Sequence, residues 1–226
     1  MERETPLIEG ELYHIYNRGA HKNTVFTSAD DYSRFMLLMY LANGTSALNI
    51  ANQIRKGRSF SDMFDGTIDK SLVDVHAYCL MPNHFHMVLR QKAENGITSY
   101  LKKVLTGYSM YFNAKHEHSG VLFQGRFKSR HIGSDAYFRW IYSYVHLNPV
   151  GLVQSDWEEC GVRDPERVRR FMNGYQYSSY QDYCVKKRVP SIVLADEAPA
   201  FLRETNDLKE MLTAYEKDGP FQDTET

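Results

Sequence analysis

The sequence predicts an α+β domain: a mainly antiparallel sheet with helices packed on it, followed by a C-terminal helical extension. Segments that alternate apolar and polar residues, as strands do, are interleaved with segments whose apolar residues return every three to four positions, as in helices. Their order reads βα, an insertion, then ββαβα. That order lacks the regular βαβ repeat of a doubly wound parallel sheet, which leaves hairpin-joined strands covered by helices. Composition agrees, since 226 residues at 42% hydrophobic, 13% aromatic and 24% charged can enclose a core.

The first strand is ELYHIYNR, closed by Gly19. Ser28 then caps a helix over SADDYSRFMLLMYLA, with acids in its first turn and Phe35, Leu38, Met39 and Ala42 at helical spacing. From Asn43 to about Lys70 the pattern fades into polar sequence, read as an insertion with a short helix around LNIANQIR. SLVDVHAYCLMPNHFHMVLRQ gives two strands broken at Met81-Pro82-Asn83, because proline interrupts a ladder and Pro-Asn suits a turn. ITSYLKKVLTGYSMYFNAKH has a helical rhythm, and GVLFQGRFKSRHI is rich in strand formers, so it reads as a strand or hairpin. SDAYFRWIYSYVHLN is a helix opened by Ser134 and stopped by Pro149. Beyond Val150 come the charged stretch RDPERVRRF, the aromatic cluster GYQYSSYQDY and an acidic tail, expected to form a helical segment that packs back through its tyrosines.

Three cysteines, Cys79, Cys160 and Cys184, form no Cys-x-x-Cys pair, which argues against a disulfide framework or a cysteine-built zinc site. A reducing cytoplasm is the expected compartment. The first residues lack a basic stretch followed by an apolar one, and the longest apolar run, FMLLMYLA, is too short to span a bilayer, so no membrane association is expected. The net charge of -1 conceals an asymmetry. Between Leu101 and Arg130 the charged residues are Lys102, Lys103, Lys115, Arg126, Lys128 and Arg130 against Glu117 alone, whereas the stretch from Asp196 onward is acidic. A basic middle of this kind suits a nucleic-acid partner.

The chemistry-bearing stretch is MPNHFHMVL. In a strand, alternate side chains share a face, so His84 and His86 point the same way. Two neutral imidazoles so placed can bind a divalent metal and leave positions open for substrate. The alternative is a pair of ordinary histidines in a sheet. In WIYSYVHLNPV, Tyr144 and Asn148 are four apart and share a helix face, while Tyr142 and His146 lie off that face. A tyrosine beside a metal is a possible nucleophile, and an amide oxygen a reasonable further ligand for Mg²⁺ or Mn²⁺.

Taken together, Met81-Pro82-Asn83-His84-Phe85-His86, Tyr16-Asn17-Arg18-Gly19 (YNRG), Phe123-Gln-Gly-Arg-Phe127 and Tyr144-x-x-x-Asn148-Pro149 resemble the REP-associated single-tyrosine transposases of the HUH superfamily. The resemblance spans about Leu12 to Leu152, and four motifs in the family's order are more specific than any one. It implies a ferredoxin-like (RRM-like) fold over residues 1–152, with an insertion at about 43–70 and an extension over 153–226. It also implies His84, His86 and Asn148 as ligands of a divalent metal, and Tyr144 as nucleophile. The implied reaction is cleavage and rejoining of single-stranded DNA, in hairpin-forming repeats, through a 5′-phosphotyrosine. The protein would act as a monomer or homodimer.

Single-stranded DNA needs a positively charged groove with aromatic platforms. The candidates are Phe123, Arg126, Phe127, Lys128 and Arg130 of LFQGRFKSR, Lys102 and Lys103 on the preceding helix, and Arg18 in the YNRG turn. The remaining histidines, His14, His21, His76, His116, His118 and His131, read as ordinary strand, loop or helix-end residues. Three other functions compete with this one. A histidine-triad nucleotide hydrolase needs a third alternating histidine, but position 88 is Val88. A rolling-circle replication initiator or relaxase shares the histidine pair and a tyrosine. A catalytically silent nucleic-acid-binding regulator would use the same sheet without cleavage.

Overall fold

Four strands form one antiparallel sheet in the order β2-β3-β1-β4: β1 is Leu12–Arg18, β2 Val73–Met81, β3 His84–Gln91 and β4 Lys128–His131. This computed structural model describes residues 6–45, 56–57, 63, 70–188, 191–193, 198 and 208–219. Most of the expected insertion, its short helix around 48–55 included, lies outside the described residues, as does most of the acidic tail.

Strands β2 and β3 are a hairpin turned at Pro82-Asn83, where the sequence breaks. That turn is fixed from outside. The Pro82 carbonyl accepts from the Val25 and Phe26 N–H groups at 2.8 and 3.0 Å, and the Asn83 carbonyl accepts from the Gly19 N–H at 2.8 Å. A Cβ on Gly19 would lie 2.1 Å from the Asn23 carbonyl oxygen, so the chain can pass there only as glycine.

Alternation along β3 sends Phe85, Met87 and Leu89 to one face and His84, His86 and Val88 to the other. On the Phe85 face lie α1 (Ala29–Leu41) and α2 (Gly96–His116), with the Phe35 ring 5.4 Å from Phe85 and 5.0 Å from Tyr108. The first turn of α1 carries a capping box between Ser28 and Asp31. Asp31 is buried, and its carboxylate also accepts from Thr27 Oγ1 at 2.7 Å and from Lys115 Nζ of α2 at 2.9 Å. On the other face lies α3 (Asp135–Leu147), opened by Ser134, whose Oγ accepts from the Tyr137 N–H. Pro149 forces the chain into a 3-10 turn over Asn148–Leu152.

The strand expected over GVLFQGRFKSRHI is confined to β4. Before it, Phe123 makes a single bridge to Gly19, Gln124 N–H donates to the Arg18 carbonyl at 2.8 Å, and Gly125 takes φ +67°. Phe-Gln-Gly-Arg therefore wraps around the end of β1, and Asn17 Nδ2 reaches the Gly125 carbonyl at 3.4 Å. The YNRG and FQGRF motifs are each other's partners.

Past α3 come α4 (Trp157–Cys160), α5 (Pro165–Gly174) and α6 (Leu208–Asp218). The tyrosine cluster does pack back. Tyr175 and Tyr183 donate their hydroxyls to the Leu80 and His76 carbonyls, both at 2.6 Å, and the Tyr177 ring stacks on Tyr32 at 3.8 Å. The Leu80 N–H donates to the Tyr177 carbonyl at 2.9 Å, so this segment covers the outer edge of β2, which would otherwise offer unpaired groups. Helix α6 lies on α3, with the Tyr215 ring 5.8 Å from Trp140 and Arg139 paired to Asp218 at 2.9 Å. No helix among the described residues is long and apolar enough to cross a membrane.

Candidate functional site

His84 and His86 leave β3 toward α3, their rings 5.1 Å apart and nearly perpendicular. His86 is 3% exposed; His84, beside the hairpin turn, is partly open. Tyr144 on α3 meets them edge-on, its ring 5.2 Å from that of His86. One turn later, Asn148 brings its amide Oδ1 to 3.2 Å from His84 Nε2. Asn148 owes that position to the helix end: its N–H still bonds the Tyr144 carbonyl, and Pro149 follows at once. Four residues on two segments some sixty positions apart are thus gathered at one point.

The ring nitrogens divide in a consistent way. His84 Nδ1 lies 2.6 Å from Asn83 Oδ1, and His86 Nδ1 lies 2.9 Å from His14 Nε2. Each histidine has its Nδ1 occupied by a neighbour behind it, so Nε2 is the atom each offers to a cation. Burial, with His14, His84 and Arg18 adding to it, holds the pKa of His86 well below the ordinary imidazole value, so the ring is neutral and has a lone pair to give. The Nε2 atoms of His84 and His86 with the Asn148 amide oxygen are a donor set that fits a divalent metal with open positions. Among the described residues no three His, Cys, Asp or Glu side chains are placed to hold a metal ion together, so a cation here would need the Asn148 amide.

His14 is a correction. Expected to be an ordinary strand residue, it is fully buried behind the pair, stacked on His86 at 5.1 Å and 6.0 Å from the Tyr144 ring. Tyr137 OH lies 3.4 Å from His14 Nδ1. Burial, reinforced by Arg130, pushes its pKa down to about 3. Only the register of β1 against β3, which sets Tyr16 opposite His86 and His14 opposite Val88, brings it there. The alternation of LYHIYNR marked the shared face, but the pairing partner was not readable. Trp140 was also missed; it stacks flat on Tyr144 at 4.8 Å. Its spacing of four from Tyr144 was the available signal.

The other expectations for α3 and the histidines agree with the geometry. Tyr142 is buried and its hydroxyl lies 2.8 Å from His76 Nδ1, while His146 Nε2 lies 2.7 Å from Ser179 Oγ, both off the site. His116 and His131 sit against Asp31 and Glu11.

The expected basic groove divides between the two faces of the sheet. Lys128, paired with Tyr16, has its Nζ 5.7 Å from the Tyr16 ring; Arg130, paired with His14, covers Tyr137 at 4.7 Å; and Arg18 pairs with His84. All three belong to the histidine face. Arg126 is exposed on the turn, and Phe127 is partly buried against the core. Phe123 is a correction: 5% exposed, it packs 5.9 Å from Phe85 and cannot stack a base. Lys102 and Lys103 are another, since α2 lies on the opposite face, and Lys103 Nζ donates to the Gly44 carbonyl at 2.7 Å. A helix amphipathic enough to be assigned from sequence does not reveal which face of the sheet it covers.

An antiparallel α+β sheet with a histidine pair beneath a tyrosine-bearing helix is thus the arrangement of this site. Among known proteins, the model of the family described as "Transposase IS200 like" matches residues 48–148 of this chain. A solved structure described as "Structure of the REP associates tyrosine transposase bound to a REP hairpin" is similar at 12% identity and a TM-score of 0.49, covering 81% of this chain and 84% of that one. That likeness is too distant to carry function. No curated protein matches the sequence.

Proposed function

We propose that this transposase relative cleaves and rejoins single-stranded DNA through a covalent bond to Tyr144, with residues 1–152 as the catalytic domain and 153–226 as an extension. The observation that carries the reading is the convergence of Tyr144 and Asn148 on the His84–His86 pair, with contacts of 5.2 and 3.2 Å. A divalent cation, Mg²⁺ or Mn²⁺, held by His84, His86 and Asn148 would polarise the scissile phosphate and stabilise the charge that builds on its oxygens.

The Tyr144 oxygen attacks phosphorus in line. An oxygen–phosphorus bond to Tyr144 forms, the bond to the 3′ oxygen breaks, and the departing strand takes up a proton as a 3′-OH. The tyrosine keeps the 5′ phosphate. Attack on that phosphotyrosine by another 3′-OH reverses the steps and joins a new strand, so the bond energy is stored without a nucleotide cofactor. Trp140, stacked on Tyr144, holds the ring where it can attack. Arg18, Lys128 and Arg130 on the same face are suited to the phosphates on either side of the break. A hairpin-forming repeat is the substrate that the motif resemblance implies.

The test is incubation of the protein with labelled single-stranded hairpin DNA and Mn²⁺, with chelator and Tyr144→Phe controls. A denaturation-resistant adduct, lost on chelation and in Tyr144→Phe, is expected. Binding without an adduct under any divalent metal would favour the silent regulator.

A further inference from the structure

We propose that His76 of β2 and Ser179 of the extension are positioning residues: through Tyr142 and His146 they hold α3 at the rotation that aims Tyr144 and Asn148 at the histidine pair. The catalytic unit then extends past residue 152 to include residues 178–183. The inference rests on Tyr144 being the nucleophile. It starts from the side of α3 turned away from the site. Tyr142 and His146 each stand two residues from Tyr144, about 200° around the helix from it at 3.6 residues per turn. Both are fully buried, and each reaches a polar partner. Tyr142 OH lies 2.8 Å from His76 Nδ1, and His146 Nε2 lies 2.7 Å from Ser179 Oγ.

Each partner is itself anchored through backbone. The β2–β3 register jumps from Val75 opposite Leu89 to Ala77 opposite Val88, so His76 is the extra residue of a bulge, a device that re-aims a side chain out of regular alternation. The His76 carbonyl accepts the Tyr183 hydroxyl at 2.6 Å, and the Tyr183 ring lies 5.2 Å from that of His146. Ser179 is held twice to Tyr78 of β2: its N–H donates to the Tyr78 carbonyl and its Oγ accepts from the Tyr78 N–H, both at 2.9 Å. Segment 178–183 therefore touches both anchors and ties them to β2, the hairpin partner of the strand that carries His84 and His86. Apolar packing is non-directional and lets a helix turn or slide by small amounts, whereas a buried hydrogen bond has a preferred length and angle and is costly to leave unmade. Two such contacts one turn apart fix both the rotation of α3 and its height against the sheet. A misplacement of about 1 Å at a reacting group can cost about 100-fold in rate, so slack in these anchors reaches the chemistry.

The experiment measures the adduct-forming rate at saturating single-stranded hairpin DNA with Mn²⁺, the DNA affinity, and, in the metal-free protein, the nuclear Overhauser contact between the rings of Tyr144 and His86. Tyr142→Phe and Ser179→Ala, each losing one hydroxyl, should each lower the rate per folded molecule by roughly 10-fold and weaken the ring contact, with DNA affinity unchanged. His146→Leu should do the same, and His146→Gln, whose amide nitrogen can stand where Nε2 stood, should recover most of the rate. Phe35→Leu, which loosens the core on the other face of the sheet, should leave the rate and the ring contact unchanged. If Ser179→Ala does not fold, Tyr142→Phe and the two His146 variants decide. A wild-type rate and ring contact in folded Tyr142→Phe and Ser179→Ala overturn the proposal, as does a loss confined to DNA affinity or one shared equally by Phe35→Leu. Wild type that forms no adduct overturns the nucleophile reading instead, and the ring contact still decides whether His76 and Ser179 position Tyr144.

Discussion

The two faces of strand β3 divide the work of the molecule. Phe85, Met87 and Leu89 face α1 and α2, where the Phe85 ring meets those of Phe35 and Phe123. His84 and His86, one residue out of phase, face α3 and meet His14, Tyr144 and Asn148. A pleated strand permits this because its side-chain period is two, so one segment serves stability and chemistry with no residue doing both. The polar face also tolerates buried polar groups that would be costly elsewhere, because His84, His86 and His14 each have a partner at Nδ1.

The separation predicts that mutations on one face leave the other's property intact. The largest effect is expected for Tyr144→Phe, which should lower DNA cleavage by at least about a thousandfold. Its denaturant midpoint should stay close to wild type, since only a hydroxyl is removed. Phe85→Ala should do the reverse: roughly 3–5 kcal/mol of stability lost in a urea titration, with adduct formation per folded molecule retained. A Phe85→Ala protein that is folded but cannot bind Mn²⁺ would break the comparison.

Smaller effects sharpen it. Burial alone would raise the Asp31 carboxyl, but the hydrogen bonds from Lys115, Thr27 and His116 outweigh that and hold it well below the usual carboxylate range. A carboxylate depressed in the folded state adds stability above its ordinary pKa, and that stability is lost as pH falls through the folded value. Asp31→Asn should therefore cost about 1.5–3 kcal/mol at neutral pH. The gap to wild type should narrow progressively below about pH 4. A gap constant with pH would show that the ionised carboxylate is not what binds α1 to α2. The smallest effect separates the lysines. Lys128→Ala should reduce the slope of log affinity for single-stranded DNA against log salt by about 0.7, and Lys103→Ala should leave it unchanged.

Local pattern made the elements legible. Proline at 82 and 149, serine caps at 28 and 134, and the alternation in HFHMVL mark the hairpin, two helices and the shared face of the histidines. Tyr144 and Asn148 were readable as a pair because four residues is one helical turn. What sequence could not supply was which segments face each other. His14 reads as an ordinary strand histidine because its placement depends on the β1–β3 register, and Phe123 passes for a surface aromatic because its strand ends sooner than its composition suggests. Lys102 and Lys103 read as groove residues because they precede LFQGRFKSR closely in the chain, whereas the sheet stands between them and the histidine face.

The central claim is that Tyr144, over the histidine pair, is the atom source of a covalent link to DNA. Peptide mass mapping of the protein after reaction with single-stranded hairpin DNA and Mn²⁺, followed by nuclease trimming, tests it most directly. The account predicts a nucleotide adduct on the peptide containing Tyr144, with fragment ions placing it on that residue. An adduct on Tyr142, on Tyr16 or on any residue other than Tyr144 would contradict it.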